Sequence, residues 1–236
     1  MTANNKAVIQ FEHKGIGNVL SQNRLRVPVN QREYAWEDEH VSELFSDLAG
    51  AVENDHPYFL GTIVLTHGDE DPEVSDGQQR LATVTILLSA IRDYLKSTKD
   101  YARANSIEQD FLKTTDFETT DTIPRLRLNV DDNEFFKRYV VDGEHSVETC
   151  RESHKKIKQA CAIASKHVSV ILEPHQKQNA RTSTLQRWVR FLKEEAQVVL
   201  LRVPDHLDAF VMFETLNDRG LKASQADLIK DRKSVV

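Results

Sequence analysis

The sequence predicts an α+β core interrupted by a mainly helical lobe, and three observations carry that prediction. A β-branched, apolar run at Tyr58–Thr66 has the composition of a buried strand. A second such run, at residues 196–204, comes near the end of the chain and predicts a strand returning to the first sheet. Between them, residues 98–195 carry mostly helical spacing, so the expected division is a core of 1–97 plus 196–236 and a lobe of 98–195. A chain of 236 residues is long enough for two lobes sharing one interior.

Taken in order, residues 8–20 are short and punctuated by glycine, and residues 24–29 alternate charge with apolar side chains as an extended segment does. Residues 37–54 place Val41, Leu44, Phe45, Leu48, Ala49 and Val52 at helical spacing, with acids crowded into the first turn where they favour the helix dipole. His56-Pro57 ends that helix before the strand at Tyr58–Thr66, and a short strand is predicted at residues 73–75. Gly77 opens the next helix, residues 78–96, whose Leu81, Val84, Leu88, Ile91 and Leu95 share one face. Residues 98–122 are polar and give no clear pattern, whereas 124–130 alternate Arg and Leu as an extended edge would. Helices are predicted at 131–140, 147–172 and 182–195, then the strand, then a helix capped by Asp205 through Leu216 and a last one starting at Ser224.

Composition excludes several classes. The chain is 39% hydrophobic and 29% charged, and its longest uncharged apolar-rich stretch, Leu81 to Ile91, falls well short of the roughly 20 residues a bilayer crossing needs. Residues 1–6 lack the apolar stretch of a secretory leader, and two cysteines, Cys150 and Cys161, make no disulfide framework, so a reducing cytoplasm is expected. The net charge of −6 argues against indiscriminate nucleic-acid binding. Its distribution is uneven: residues 37–56 hold seven acids and no Lys or Arg, while residues 151–193 hold ten Lys or Arg against two acids. The basic stretch, with Trp188 and Arg190 for stacking, makes a candidate DNA contact or else a solvated helix face.

Familiar motifs fail: there is no P-loop, Gly15-Ile16-Gly17 lacks the third glycine of a dinucleotide fingerprint, and no zinc spacing occurs. The informative segment is Asp76-Gly77-Gln78-Gln79-Arg80, between a predicted strand and a predicted helix. Glycine there lets backbone approach an anion, the first-turn N–H groups point at it, and Arg80 adds a fork of donors. The plainer reading is a helix cap with Arg80 in a surface ion pair. Phe213 to Gly220, presenting Asn217 and Arg219 before a glycine, reads either as a second polar element or as an ordinary helix end. Residues 31–36 (Gln-Arg-Glu-Tyr-Ala-Trp) place polar Gln31 and Arg32 before Tyr34 and Trp36, which are expected to tie the next helix to the core.

In that order, Val27-Pro28 with Gln31-Arg32, Tyr34 and Trp36, then residues 58–65, then Asp76–Arg80 with Leu81 and Thr83, then residues 213–220 with Asp227-Leu228-Ile229-Lys230, resemble the N-terminal domain of the GmrSD-type modification-dependent restriction endonucleases. The resemblance runs from about Ile16 to Lys230, with 99–195 matching only in pattern. It implies a ParB/sulfiredoxin-like small mixed sheet with flanking helices that binds and hydrolyses a nucleoside triphosphate with Mg2+. Under it, Asp76, Gln79 and Arg80 are catalytic, with Asp76 the candidate Mg2+ contact, and Gln31, Arg32, Gly77, Gln78, Asn217 and Arg219 bind nucleotide. Expected partners are DNA, a C-terminal nuclease domain or subunit, and a second copy in a homodimer. Three departures stand out: Asn30 where relatives carry Tyr, Ser75 where they carry Ile or Val, and no His-Asn-His motif. DNA cleavage by this polypeptide alone is therefore not expected, and its ending at Lys233 to Val236 does not resemble the family's continuation, as in a truncated chain. Two other functions compete with hydrolysis: a nucleotide-gated sensor of modified DNA with little turnover, and a protein-interaction scaffold.

Overall fold

In a computed structural model the described residues are 9–67 and 71–204, and the predicted elements at 205–216 and from Ser224 lie outside them. The fold is α+β. Strands β1 (Gln10–Gly15), β2 (Leu25–Arg26), β3 (Tyr58–Thr66), β4 (Glu73–Asp76), β7 (Leu126–Arg127) and β8 (Ala196–Val203) form one mixed sheet in the order β1-β8-β3-β4-β2-β7. Strand β8 does return to the first sheet, parallel to β3 and antiparallel to β1. Strands β5 (Lys113–Thr115) and β6 (Thr122–Pro124) make a separate antiparallel hairpin. The helices are α1 (Ile16–Gln22), α2 (Asp38–Asn54), α3 (Gln78–Ser97), α4 (Tyr101–Ile107), α5 (Asn133–Phe136), α6 (Glu152–Leu172) and α7 (Gln178–Glu194).

Alternation decides what each strand buries. Leu25 and Leu126 of the two Arg-Leu-Arg strands enter the core, while the flanking arginines stay outside, Arg24 and Arg127 on Asp71 and Arg26 on Glu73. The core is continuous: Ile63, Leu65 and Leu200 of the sheet share it with Leu88 of α3, Ile157 of α6 and Trp188 of α7. A smaller apolar group, Val64, Leu201 and Val203, occupies the other face of the sheet. Helix α3 runs through the middle and is buried on nearly every side, so that Thr83, Thr85, Ser89 and Arg92 lie inside along with its apolar face.

Gly15 and Gly17 have a packing explanation. A Cβ at Gly15 would stand 2.0 Å from the Lys193 carbonyl oxygen, and one at Gly17 would stand 2.7 Å from the Lys193 Cα. The glycines let α1 lie against the backbone of α7, which accounts for them without a nucleotide.

The segment without a clear pattern is built around a buried charge. It forms α4, a π-helical turn at Glu108–Leu112, and the β5–β6 hairpin. Arg92 of α3 is 0% exposed, and its guanidinium bonds the carbonyls of Val140 and Val141 in a second π-helical turn, Lys137–Val141. Glu108 lies 3.5 Å from Arg92 and also bonds Lys96 and Lys113. Burial pushes the Glu108 carboxyl up, but these cations outweigh it and hold the group below its ordinary value.

His167 sits between Phe45 and Trp188, and its Nε2 is buried with no hydrogen-bond partner among the described residues. Burial pushes its pKa down to about 4. A depressed folded-state value contributes stability that is complete above the unfolded value of about 6.5 and is lost as pH falls towards 4. His167→Leu should therefore flatten the fall of the urea midpoint between about pH 6.5 and 4. Parallel curves for the two proteins would refute this.

Candidate functional site

The site is built where β4 runs into α3. Gly77 takes the left-handed conformation, φ +92°, and a Cβ there would lie 2.8 Å from Ile63 Cγ1, so no other residue fits without strain. The first intrahelical bond runs from the Leu81 N–H to the Gly77 carbonyl at 3.0 Å, which leaves the N–H groups of Gln78, Gln79 and Arg80 ahead of it. No side chain caps the helix, and its first turn holds no acid.

The three side chains that follow Gly77 then diverge. Gln78 donates to the Arg32 carbonyl (3.2 Å), while Gln79 donates to the Glu33 carbonyl (3.1 Å) and accepts from the Ala35 N–H (2.8 Å). Both amides are buried, at 8% and 7% exposure, so they act as fasteners for residues 31–36. Gln31 donates in turn to the Ser75 carbonyl at 3.0 Å, joining the two boxes from the other side. Arg80 points instead at β3. Its Nη1 donates to the carbonyls of Leu60 (2.9 Å) and Thr62 (2.8 Å), on either side of a bulge at Gly61, and its Nη2 lies 3.6 Å from the Asp76 carboxylate. A Cβ on Gly61, φ +99°, would come within 2.7 Å of that Nη1.

The structure thus brings Gln31, Arg32, Asp76, Gly77, Gln78, Gln79 and Arg80 to one end of α3. Arg32 is exposed, and its guanidinium has no hydrogen bond or ion pair among the described residues. It lines a small crevice, about 10 Å3, together with Gln78, Gln79 and Asp132; Arg80 does not line it. Among the described residues no group of three or more His, Cys, Asp or Glu side chains could hold a metal ion. Asp76 suits a hard cation that keeps most of its waters or takes phosphate oxygens as its other ligands. Asn217, Arg219 and Gly220 lie outside the described residues.

Comparison with known families matches residues 16–232 to the GmrSD restriction endonuclease, N-terminal domain. The chain belongs to that family. It is thus part of a restriction-endonuclease defence protein, a class that acts on DNA with a nuclease domain. No curated protein matches the chain. The described residues contain no helix long and apolar enough to cross a membrane.

The charge polarity of this GmrSD-family chain is resolved in part inside it. Lys156 pairs with Glu37 (2.6 Å), Arg187 with Asp55 (3.5 Å), and Gln159 bonds Asp38 (2.9 Å), so the two ends of α2 meet cations and an amide of α6 and α7. Arg151 pairs with Glu33 and Asp131. Trp188 is a core residue against His167, so the stacking expected of it is corrected: an indole buried to 2% exposure cannot meet a base. Tyr34 and Trp36 do tie the loop down, Tyr34 by a 2.8 Å bond to Thr83 and Trp36 by stacking on His40. Cys150 is exposed, whereas burial pushes the Cys161 thiol up to about 12, and neither cysteine forms a disulfide.

Two residues escaped sequence reasoning. Asn129 donates to the Gln31 carbonyl (3.1 Å), and Asp132 accepts the Tyr34 N–H (2.6 Å). The one local sign was Asp131-Asp132-Asn133 at a helix start, which ordinary capping accounts for.

Proposed function

We propose that the chain binds a nucleoside triphosphate over the start of α3 and hydrolyses it, as the nucleotide-responsive module of a restriction protein. The observation that carries this reading is the uncapped N-terminus of a 20-residue helix, opened by a left-handed glycine, with Arg32, whose guanidinium has no partner among the described residues, in the loop that Gln78 and Gln79 fasten beside it. Free N–H groups and a guanidinium converging there suit phosphate oxygens. The crevice is too small to enclose a nucleotide, so the phosphates would lie across its mouth, on the surface. Phosphoryl transfer asks chiefly for positioning and charge neutralisation. In this geometry Arg32 and the α3 N–H groups neutralise phosphate, and Arg80 contributes its remaining nitrogen while holding Asp76. Asp76 is the group left to hold Mg2+, which would offset phosphate charge, or the attacking water. Gln79, with both ends of its amide engaged, positions the loop.

A thermal-shift panel of four nucleoside triphosphates with Mg2+, followed by phosphate release on those that bind, tests the reading. Asp76→Ala is expected to melt like the parent and to lose phosphate release by about 100-fold. A protein that no triphosphate stabilises, or an Asp76→Ala variant with full turnover, would sink it. A shift without turnover would favour the alternative, a nucleotide-gated sensor of modified DNA, for which Lys158, Lys166 and Arg190 supply cations without a charged partner among the described residues.

A further inference from the structure

The loop that carries Arg32 is held from two directions. From α3 it is held by the Gln78 and Gln79 amides and by Thr83. From the opposite side it is held by residues before and within α6. Asn129 bonds the Gln31 carbonyl, and Asp132, at 0% exposure, takes the Tyr34 N–H on Oδ2 (2.6 Å) and the Ser153 hydroxyl on Oδ1 (2.5 Å). Among the described residues no Lys or Arg pairs with this carboxylate; the His154 ring lies 3.8 Å away, with its Nδ1 accepting the Cys150 N–H. A carboxylate buried at this depth is retained at a desolvation cost, and here its strongest contacts are with neutral donors on two separate elements.

We propose that Asp132 is a positioning residue for Arg32, and that it links the nucleotide site to the start of α6; this rests on the nucleotide reading above. The chain of contacts is short. Ser153 of α6 bonds Asp132, Asp132 bonds the backbone of Tyr34, and Arg32 lies two residues earlier in a loop whose backbone is also held at Gln31, Arg32, Glu33 and Ala35. Moving the Tyr34 backbone moves Arg32 relative to the helix N–H groups. A misplacement of about 1 Å at a positioned charge can cost on the order of 100-fold in turnover. The contact needs an acceptor facing Tyr34, not a charge. Asparagine can give its oxygen to the Tyr34 N–H and its amide to the Ser153 hydroxyl, whereas alanine can do neither.

The test is a cycle of Asp132→Ala, Asp132→Asn, Arg32→Ala and the Arg32→Ala/Asp132→Ala double variant. Phosphate release and amide exchange at residues 33–36 are both read. Asp132→Ala should lower release by about 10- to 100-fold and speed exchange at residues 33–36 selectively. Asp132→Asn should restore most of both. Removing Arg32 in the Asp132→Ala background should cost no more than about two-fold beyond the single change, because one acts through the other. Multiplying effects, an asparagine variant as impaired as the alanine one, or unchanged exchange at residues 33–36 would overturn the proposal. If the parent protein releases no phosphate, the functional reading fails, and the exchange arm alone decides whether Asp132 holds the loop.

Discussion

Arg92→Met should lower the unfolding free energy by about 3–5 kcal/mol, the largest stability effect expected of any single substitution considered. Methionine fills much of the arginine stem's volume, so the loss comes from polar groups and not from a cavity. The carbonyls of Val140 and Val141 lose the Arg92 donor in a π-helical turn, and of its cations among the described residues Glu108 keeps Lys96 and Lys113. Unsatisfied buried groups carry their full desolvation cost. Urea unfolding followed by circular dichroism measures it: a lower midpoint at unchanged slope is expected. A loss below about 1 kcal/mol would show that the turn reforms around another donor.

Arg80→Ala should have two consequences that separate in the lysine variant. Leu60 and Thr62 both lose the Nη1 donor, and Asp76 loses its neighbour. Two carbonyls at the edge of a bulge, partly open to water, give a loss of about 2 kcal/mol, and phosphate release should fall by about 100-fold or more. Arg80→Lys should recover part of the stability, since an ammonium can serve the carbonyls. It should not recover turnover, because a point charge cannot span both the bulge and the carboxylate as a planar fork does. Wild-type melting and turnover in Arg80→Ala would remove arginine from both roles.

Much of the fold was legible because period and composition agreed. Tyr58–Thr66 and residues 196–203 are dense in β-branched and apolar side chains and became β3 and β8, paired in parallel. The helix expected at residues 147–172 begins only at Glu152: the Val147 N–H bonds back to the Glu144 carbonyl, and the first bond of α6 runs from the Lys155 N–H to the Arg151 carbonyl. Strand β1 was hidden: Gln10 to Lys14 are polar apart from an exposed Phe11 and show no apolar alternation, and pairing with β8 makes them a strand. Residues 98–122 gave no pattern because their order depends on the Glu108 carboxylate meeting Arg92, Lys96 and Lys113, contacts that have no period. At the site, the Asp76–Arg80 box was visible as glycine between strand and helix. Its internal division of labour was not, since a glutamine fastening a loop and one holding water look alike in sequence. Only the paths to Glu33 and Ala35 distinguish them.

The bulge in β3 has a consequence for how the chain can vary. The missing methyl at Gly61 and the guanidinium of Arg80 claim the same few cubic ångströms, 2.7 Å apart at the point of conflict. Positions nineteen apart in sequence are therefore coupled: a shorter side chain at the second removes the clash, and the left-handed φ of +99° is what then still reserves the first for glycine.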